Sequence, residues 1–191
     1  IDSKQYGQVL SATFQRLSLT PTWSWDNWLL KKNKSGGAAL DLHIHDTDYV
    51  QYVFGMPKEV FSCGIKGPSG DFDHIVTSYL YKGKVVTAEG GWLMKPGFGF
   101  EMSFNVVLEM ATVSYDCTRK PAFKIAPDKG EVITPQLAQG DGYSIEIEHF
   151  IKALSGNNVP KIITPQDSLN SVKIVLAEKK SCALGRKVAV K

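Results

Sequence analysis

Cysteine is scarce in this chain: three in 191 residues, at positions 63, 117 and 182. An odd number of widely spaced thiols excludes a disulfide framework and a structural zinc site, because both need paired spacings. The expectation is reduced, buried thiols in a cytoplasmic protein. Charge of one sign is equally short. Twenty-two Lys and Arg stand against 19 Asp and Glu, a net charge of +3, and no five like charges run together. That removes the electrostatic footprint of a nucleic-acid binder and of a polybasic membrane patch. No apolar run approaches the roughly 20 residues needed to span a bilayer. There is no internal repeat, no signal-peptide pattern and no opening methionine. Nor does any Gly-x-Gly-x-x-Gly open a helix after a strand, so the turn that cradles dinucleotide phosphates is missing.

What remains is an ordinary globular composition, 43% apolar and 21% charged, at a length that suits one domain. The opening "IDSKQYG" reads as the last turn of a helix, with Lys4 near its end and Gly7 beyond it. A helix tail without its front is what a piece of a longer protein would show. "QVLSATFQRLSL" alternates and predicts a strand over about residues 8–18. An irregular loop follows, with Pro21 and three tryptophans, and closes at Gly36–Gly37. "AALDLHIHDTDYVQYVFG" has alternating Leu40, Leu42 and Ile44, yet its length and its Gly55 and Pro57 stop favour one helix. From Lys58 to about Tyr115 the pattern is an antiparallel meander. Residues 118–140 hold one further short strand at "GEVITP". Two helices close the chain, one capped by Asp141 and one by Thr164, before a last short strand in "RKVAVK". The sum is α+β: a largely antiparallel open sheet of about five to eight strands with helices packed on one face.

The densest chemistry lies in "LDLHIHDTDY", residues 40–49. On a strand, Asp41, His43 and His45 would share a face, as metal ligands do. Such a site needs further histidines, and only His74 and His149 remain; both read as ordinary histidines. On a helix the same letters sort differently. Asp41 and His45 are one turn apart, Asp48 joins them at i+3 from His45, and His43 and Asp46 turn away. A carboxylate one turn from an imidazole fixes its tautomer and prepares a general acid/base. It serves equally well as a tie between packed elements, and spacing alone favours the tie.

The stretch "SGGAALDLHIHDTDYVQYVFGMPKEV" resembles the start of the C-terminal domain of the Gfo/Idh/MocA oxidoreductases. The matching features are Gly36–Gly37, Asp41, His45, Asp46, Asp48, Gly55 and Pro57. The likeness continues through "AEGGWLMKPGFGFEMSFNVVLEMATVSYD" and the closing helices. It implies a fragment: a single C-terminal substrate-binding and oligomerisation domain over residues 1–191, lacking the N-terminal Rossmann domain that binds NAD or NADP, and inactive alone. It implies His45 as the acid/base for a sugar, cyclitol or polyol hydroxyl, with Asp41 assisting and Asp48 supporting. Arg16 and Ser18 fall where the inositol branch faces substrate. Trp25, with Trp23 and Trp28, suits a sugar pocket, or core packing of the loop. Phe98 and Phe100 stand where that branch has tyrosines, which argues against inositol itself. Met94-Lys95-Pro96 resembles the family's Glu-Lys-Pro motif by letters only and reads as a hairpin. Trp92 reads as core or interface. The resemblance further implies a homo-oligomer formed through the open face of the sheet, with neither nucleic acid nor membrane as partner. A non-catalytic sugar- or nucleotide-sensing relative of the same fold is the alternative.

Overall fold

Eight strands form one sheet in the order β7-β6-β5-β1-β4-β3-β2-β8. The computed structural model describes residues 1, 3–156, 159 and 162–191. The strands are β1 (Val9–Leu19), β2 (Glu59–Lys66), β3 (Phe72–Tyr81), β4 (Lys84–Met94), β5 (Glu101–Leu108), β6 (Ala111–Asp116), β7 (Phe123–Pro127) and β8 (Val188–Ala189). Every named pairing is antiparallel except β1 with β4. Short turns account for the antiparallel runs. Lys82-Gly83 closes β3 onto β4, with Gly83 at φ 77°, the left-handed region that glycine enters without steric cost.

Alternation sends one residue of each pair to the helices. A row of Val60, Tyr79, Val86, Ala12, Val106, Val113 and Ile125 crosses seven strands in register. Most of it is fully buried, and it forms the core with Phe14, Val50 and Ile174. The helices covering this face are α2 (Ile44–Phe54) and α4 (Pro165–Leu184). They are seamed together by Ser171 Oγ donating to Asp48 Oδ1 at 2.6 Å, and by Gln51 Nε2 donating to the carbonyl of Asp167. A third helix, α3 (Gly142–Leu154), buries none of its side chains, and a four-residue turn, α1 (Lys32–Ser35), precedes the glycine pair.

Five sequence expectations change. The predicted single helix over residues 38–54 begins with a wider π-turn, Ala39–His43, before α2. Leaving Asp2 aside, Ile1–Gly7 is not the end of a helix. It is two tight turns, Lys4 N–H to the Ile1 carbonyl and Gly7 N–H to the Lys4 carbonyl, with Lys4 at φ 53°. The strand after β6 is β7 at Phe123–Pro127 rather than "GEVITP", from which only Ile133 pairs, with Ile125. Cys63 and Cys117 are exposed rather than buried, and Cys182 is half-buried. Trp23 and Trp25 do not pack into the core; they are 82% and 85% exposed. Trp92, by contrast, is core, against Leu29 and Ala38.

Candidate functional site

Gly36 and Gly37 both lie at positive φ, 76° and 75°. A side chain at Gly37 would meet Asp71 Cβ at 2.9 Å and the Phe72 carbonyl at 3.0 Å. The pair therefore folds the chain sharply over β3 and releases it into the π-turn. Asp73, fully buried on β3, accepts from Ser69 N–H at 2.8 Å, from Ser69 Oγ, and from the Ala38 N–H at 3.4 Å. A carboxylate at a helix N-terminus satisfies its free amides and complements its dipole. From the other side Lys179 on α4 donates to the Gly36 carbonyl at 2.9 Å and to Asp71 at 2.8 Å.

The π-turn and α2 then distribute the cluster. Asp41 is half-buried and His45 exposed. Burial raises the Asp41 carboxyl above its ordinary range, and the neighbouring His45 imidazole pulls it part of the way back. The imidazole therefore acts on the carboxyl electrostatically. Asp48 is held elsewhere. Its carboxylate accepts from Ser171 on α4, so any influence on His45 runs through the helix.

His43 and Asp46 do turn away from that face, into the protein. His43 is fully buried, and Asp46 is 3% exposed. Asp46 holds Arg16 through two bonds, Nε to Oδ2 at 2.9 Å and the second guanidinium nitrogen to Oδ1 at 3.3 Å. This fork fastens β1 to α2, and its two-point geometry fixes the guanidinium plane. Arg16 therefore comes to the site already paired. His43 lies over Gly90 of β4, where a Cβ would come within 2.7 Å of its ring, with its Nε2 3.3 Å from Glu178 Oε2 of α4. With His43 buried and His45 exposed on opposite sides of the turn, the two histidines do not converge. Among the described residues no group of three His, Cys, Asp or Glu is placed to hold a metal ion.

Ser18 sits at the irregularity that ends the β1 pairing with β4. Phe98 and Phe100 lie in the link between β4 and β5, 40% and 47% exposed, and Trp25 stands out from a short 3₁₀ segment. Down α2 from His45, Tyr49 and Tyr52 stack at 6.3 Å between ring centroids. They border a groove of about 600 Å³ lined further by Phe14, Phe104 and Phe123. On the opposite face of the sheet, His74 Nε2 is 3.0 Å from Glu89, which also accepts from Gln15. Spacing separated the outward Asp41 and His45 from the inward His43 and Asp46. It missed the partners of Asp46 and His43, since Arg16 and Glu178 lie far along the chain.

A model of the GFO/IDH/MocA C-terminal domain matches residues 1–114. No curated protein matches the chain. Among solved structures, levoglucosan dehydrogenase in complex with NADH and levoglucosan superposes with a TM-score of 0.81 at 20% identity, over 99% of this chain and 60% of its own. The WlbA dehydrogenase from Bordetella pertussis, in complex with NADH and UDP-GlcNAcA, gives 0.79 at 17% identity, over 100% of this chain and 58% of its own. An NAD-binding oxidoreductase from Klebsiella pneumoniae gives 0.80 at 15%, over 100% and 61%. The chain thus spans about 60% of the length of the solved structures it matches.

Proposed function

Because the chain belongs to the GFO/IDH/MocA family and matches its C-terminal domain, we propose that it is the substrate-binding and oligomerisation domain of an NAD(P)-dependent oxidoreductase. The substrate class is a sugar, cyclitol or similar polyol. The observation that carries this reading is the exposed His45 coupled to a half-buried Asp41 at the start of α2.

Oxidising a carbinol removes a proton from oxygen and a hydride from carbon. NAD or NADP supplies the hydride acceptor. The residues present do not fit a dinucleotide phosphate: the glycine pair that opens the π-turn gives its following amide to Asp73, where a second anion would be repelled. The cofactor is accordingly held by a Rossmann domain outside these 191 residues. This chain's task is the proton. His45 accepts it from the substrate hydroxyl, within hydrogen-bond reach. Asp41 stabilises the imidazolium that results and so favours the transfer. Ser18, Phe100 and Trp25 supply hydroxyl and aromatic contacts at the same end of the sheet, and Arg16, already neutralised by Asp46, adds a fixed donor. Asp48 steadies α2 against α4.

Two apolar surfaces suit this arrangement. The stripe Tyr143, Ile147, Phe150, Ile151 and Leu154 on α3 is exposed, at the spacing of one helical face, and the groove beside Tyr49 and Tyr52 is open. The cofactor domain covers them. The bare face of the sheet receives a second copy. The whole works in the cytoplasm.

The test joins the chain to its cofactor domain and assays a polyol panel. Replacing His45 with Ala should lower kcat by about 10²–10⁴-fold with KM little changed. Full kcat in that variant, on a substrate the parent oxidises, overturns the assignment.

A further inference from the structure

The outer stripe of α2 carries more than the acid/base. His45, Tyr49 and Tyr52 are all exposed and fall within one helical face. The two tyrosines form a wall of the groove, and the floor is the sheet. Phe14, Phe104, Tyr115 and Phe123 stand opposite one another in register across β1, β5, β6 and β7. Phe104 is the hub of this row. The rings of Phe14, Tyr49, Tyr115 and Phe123 all lie within 6.2 Å of its own, centroid to centroid. The helices pack chiefly on β1, β2, β4 and β8, so this edge of the sheet lies open beyond α2. Ser3 and Gln5 of the opening turns add polar groups to the lining.

Size and charge limit what the groove can hold. Its volume of about 600 Å³ lies within the range of pockets that bury drug-sized ligands, roughly 300–1,000 Å³. None of the residues lining it has a charged side chain. Burial, with Tyr52 beside it, holds the Tyr49 phenol above its ordinary range and so neutral. A phosphate or carboxylate entering there would lose hydration without meeting a charge to compensate it. An aromatic or aliphatic group, by contrast, exchanges water for ring faces and edges. His45 lies four residues of α2 from Tyr49 and seven from Tyr52, roughly 6 and 10 Å along the axis. That is the span of one sugar ring and the bond to its substituent. We propose that the substrate is a glycoside: a sugar whose hydroxyl meets His45 and whose uncharged, apolar or aromatic aglycone fills the groove. This rests on the reading of His45 as the acid/base. A cofactor domain laid over the groove would roof it, and clefts between domains are where ligands of this size bind.

The test is equilibrium binding, by calorimetry, to the complete enzyme holding reduced cofactor, so that no sugar is oxidised. The probes are the methyl and phenyl β-glycosides of glucose, galactose and xylose, with glucose and glucose 1-phosphate as the charge control. At least one phenyl glycoside should bind about tenfold to a hundredfold more tightly than its methyl counterpart, from the apolar area of the ring. Tyr52→Ala should shrink that ratio at least about threefold, and Tyr52→Phe should retain it, because the ring makes the contact. Tyr52 is 58% exposed, so neither change endangers the fold. A panel in which phenyl and methyl members bind alike, or in which none binds, overturns the proposal. So does a ratio indifferent to Tyr52→Ala, or a 1-phosphate that binds more tightly than glucose itself. The two readings fail separately. If phenyl glycosides bind preferentially and His45→Ala still oxidises them at full kcat, the groove stands and the acid/base assignment falls. If free sugars are oxidised through His45 and the phenyl group adds nothing, the acid/base stands and the groove assignment falls.

Discussion

Burial holds the Asp41 carboxyl above its ordinary range, and His45 offsets only part of that rise. The sign of the linkage follows. A carboxyl whose folded pKa exceeds its unfolded value of 3.8 favours the fold most below that value, and the contribution is lost as pH rises through the folded pKa. At neutral pH the charged Asp41 is a cost to stability. Asp41→Asn should therefore melt higher than the parent at about pH 7, and the gain should shrink to nothing as pH falls below 3.8, a comparison thermal melts can make. In the complete enzyme the same variant should lose activity, the usual opposition between a working site and a stable one. Gly90 answers to a different force. A methyl there would lie 2.7 Å from His43 Cβ and Nδ1 and 2.9 Å from its Cα. Gly90→Ala should cost about 1–3 kcal/mol from overpacking in denaturant unfolding. Coupled to His43→Ala it should cost less than the two changes added, since residues in contact do not act independently. At this scale the sequence showed which side chains share a face, because helical spacing is local. It did not show what the inward ones touch, because Arg16 and Glu178 reach them only through the tertiary fold.

Helix ends were legible because their chemistry is local. Asp141 caps α3 by accepting from the Ser144 N–H while its own N–H donates to Ser144 Oγ, and Thr164 does the same for α4 with Asp167. The strands β1 to β6 were legible through alternation. The π-turn was not, since its letters also suit a regular helix. β7 was hidden by the prolines and glycines around it, and its identity comes from pairing with β6. The two caps should nevertheless behave differently on removal. α4 buries Ile174, Val175 and Glu178, so its cap belongs to the global fold, and Thr164→Ala should reduce unfolding stability by about 1 kcal/mol. α3 buries none of its side chains, so Asp141→Ala should raise amide exchange within α3 and leave the global transition where it was. Hydrogen exchange read alongside a urea melt separates the two outcomes. A global shift from Asp141→Ala would mean that α3 is coupled to the core more firmly than its exposure indicates.

Among the described residues, helices cover the sheet on one side only. α2 and α4 lie over the row from Val60 to Ile125, while the opposite face leaves Phe61, Ile65, Val76 and Val85 between 39% and 65% exposed. These four fall on neighbouring strands in register: Leu80 pairs with Val85, Val76 with Glu89, and Phe61 with Ser78. They share this face with the Gln15–Glu89–His74 bonds. A sheet face with several half-exposed apolar side chains is one that another protein surface can cover, and a second copy offers the same face related by symmetry. The polar group in its middle resists sliding, because its donors and acceptors must find partners when water leaves. Val85 is the most exposed of the four, so Val85→Asp should scarcely affect the stability of one copy. Placed in a face that meets its own image, however, it brings two carboxylates together without a compensating charge. Sedimentation at micromolar concentration should find the parent chain as a dimer or tetramer and Val85→Asp as a monomer with unchanged helix and strand content. A parent that sediments as a monomer under those conditions would reassign this face.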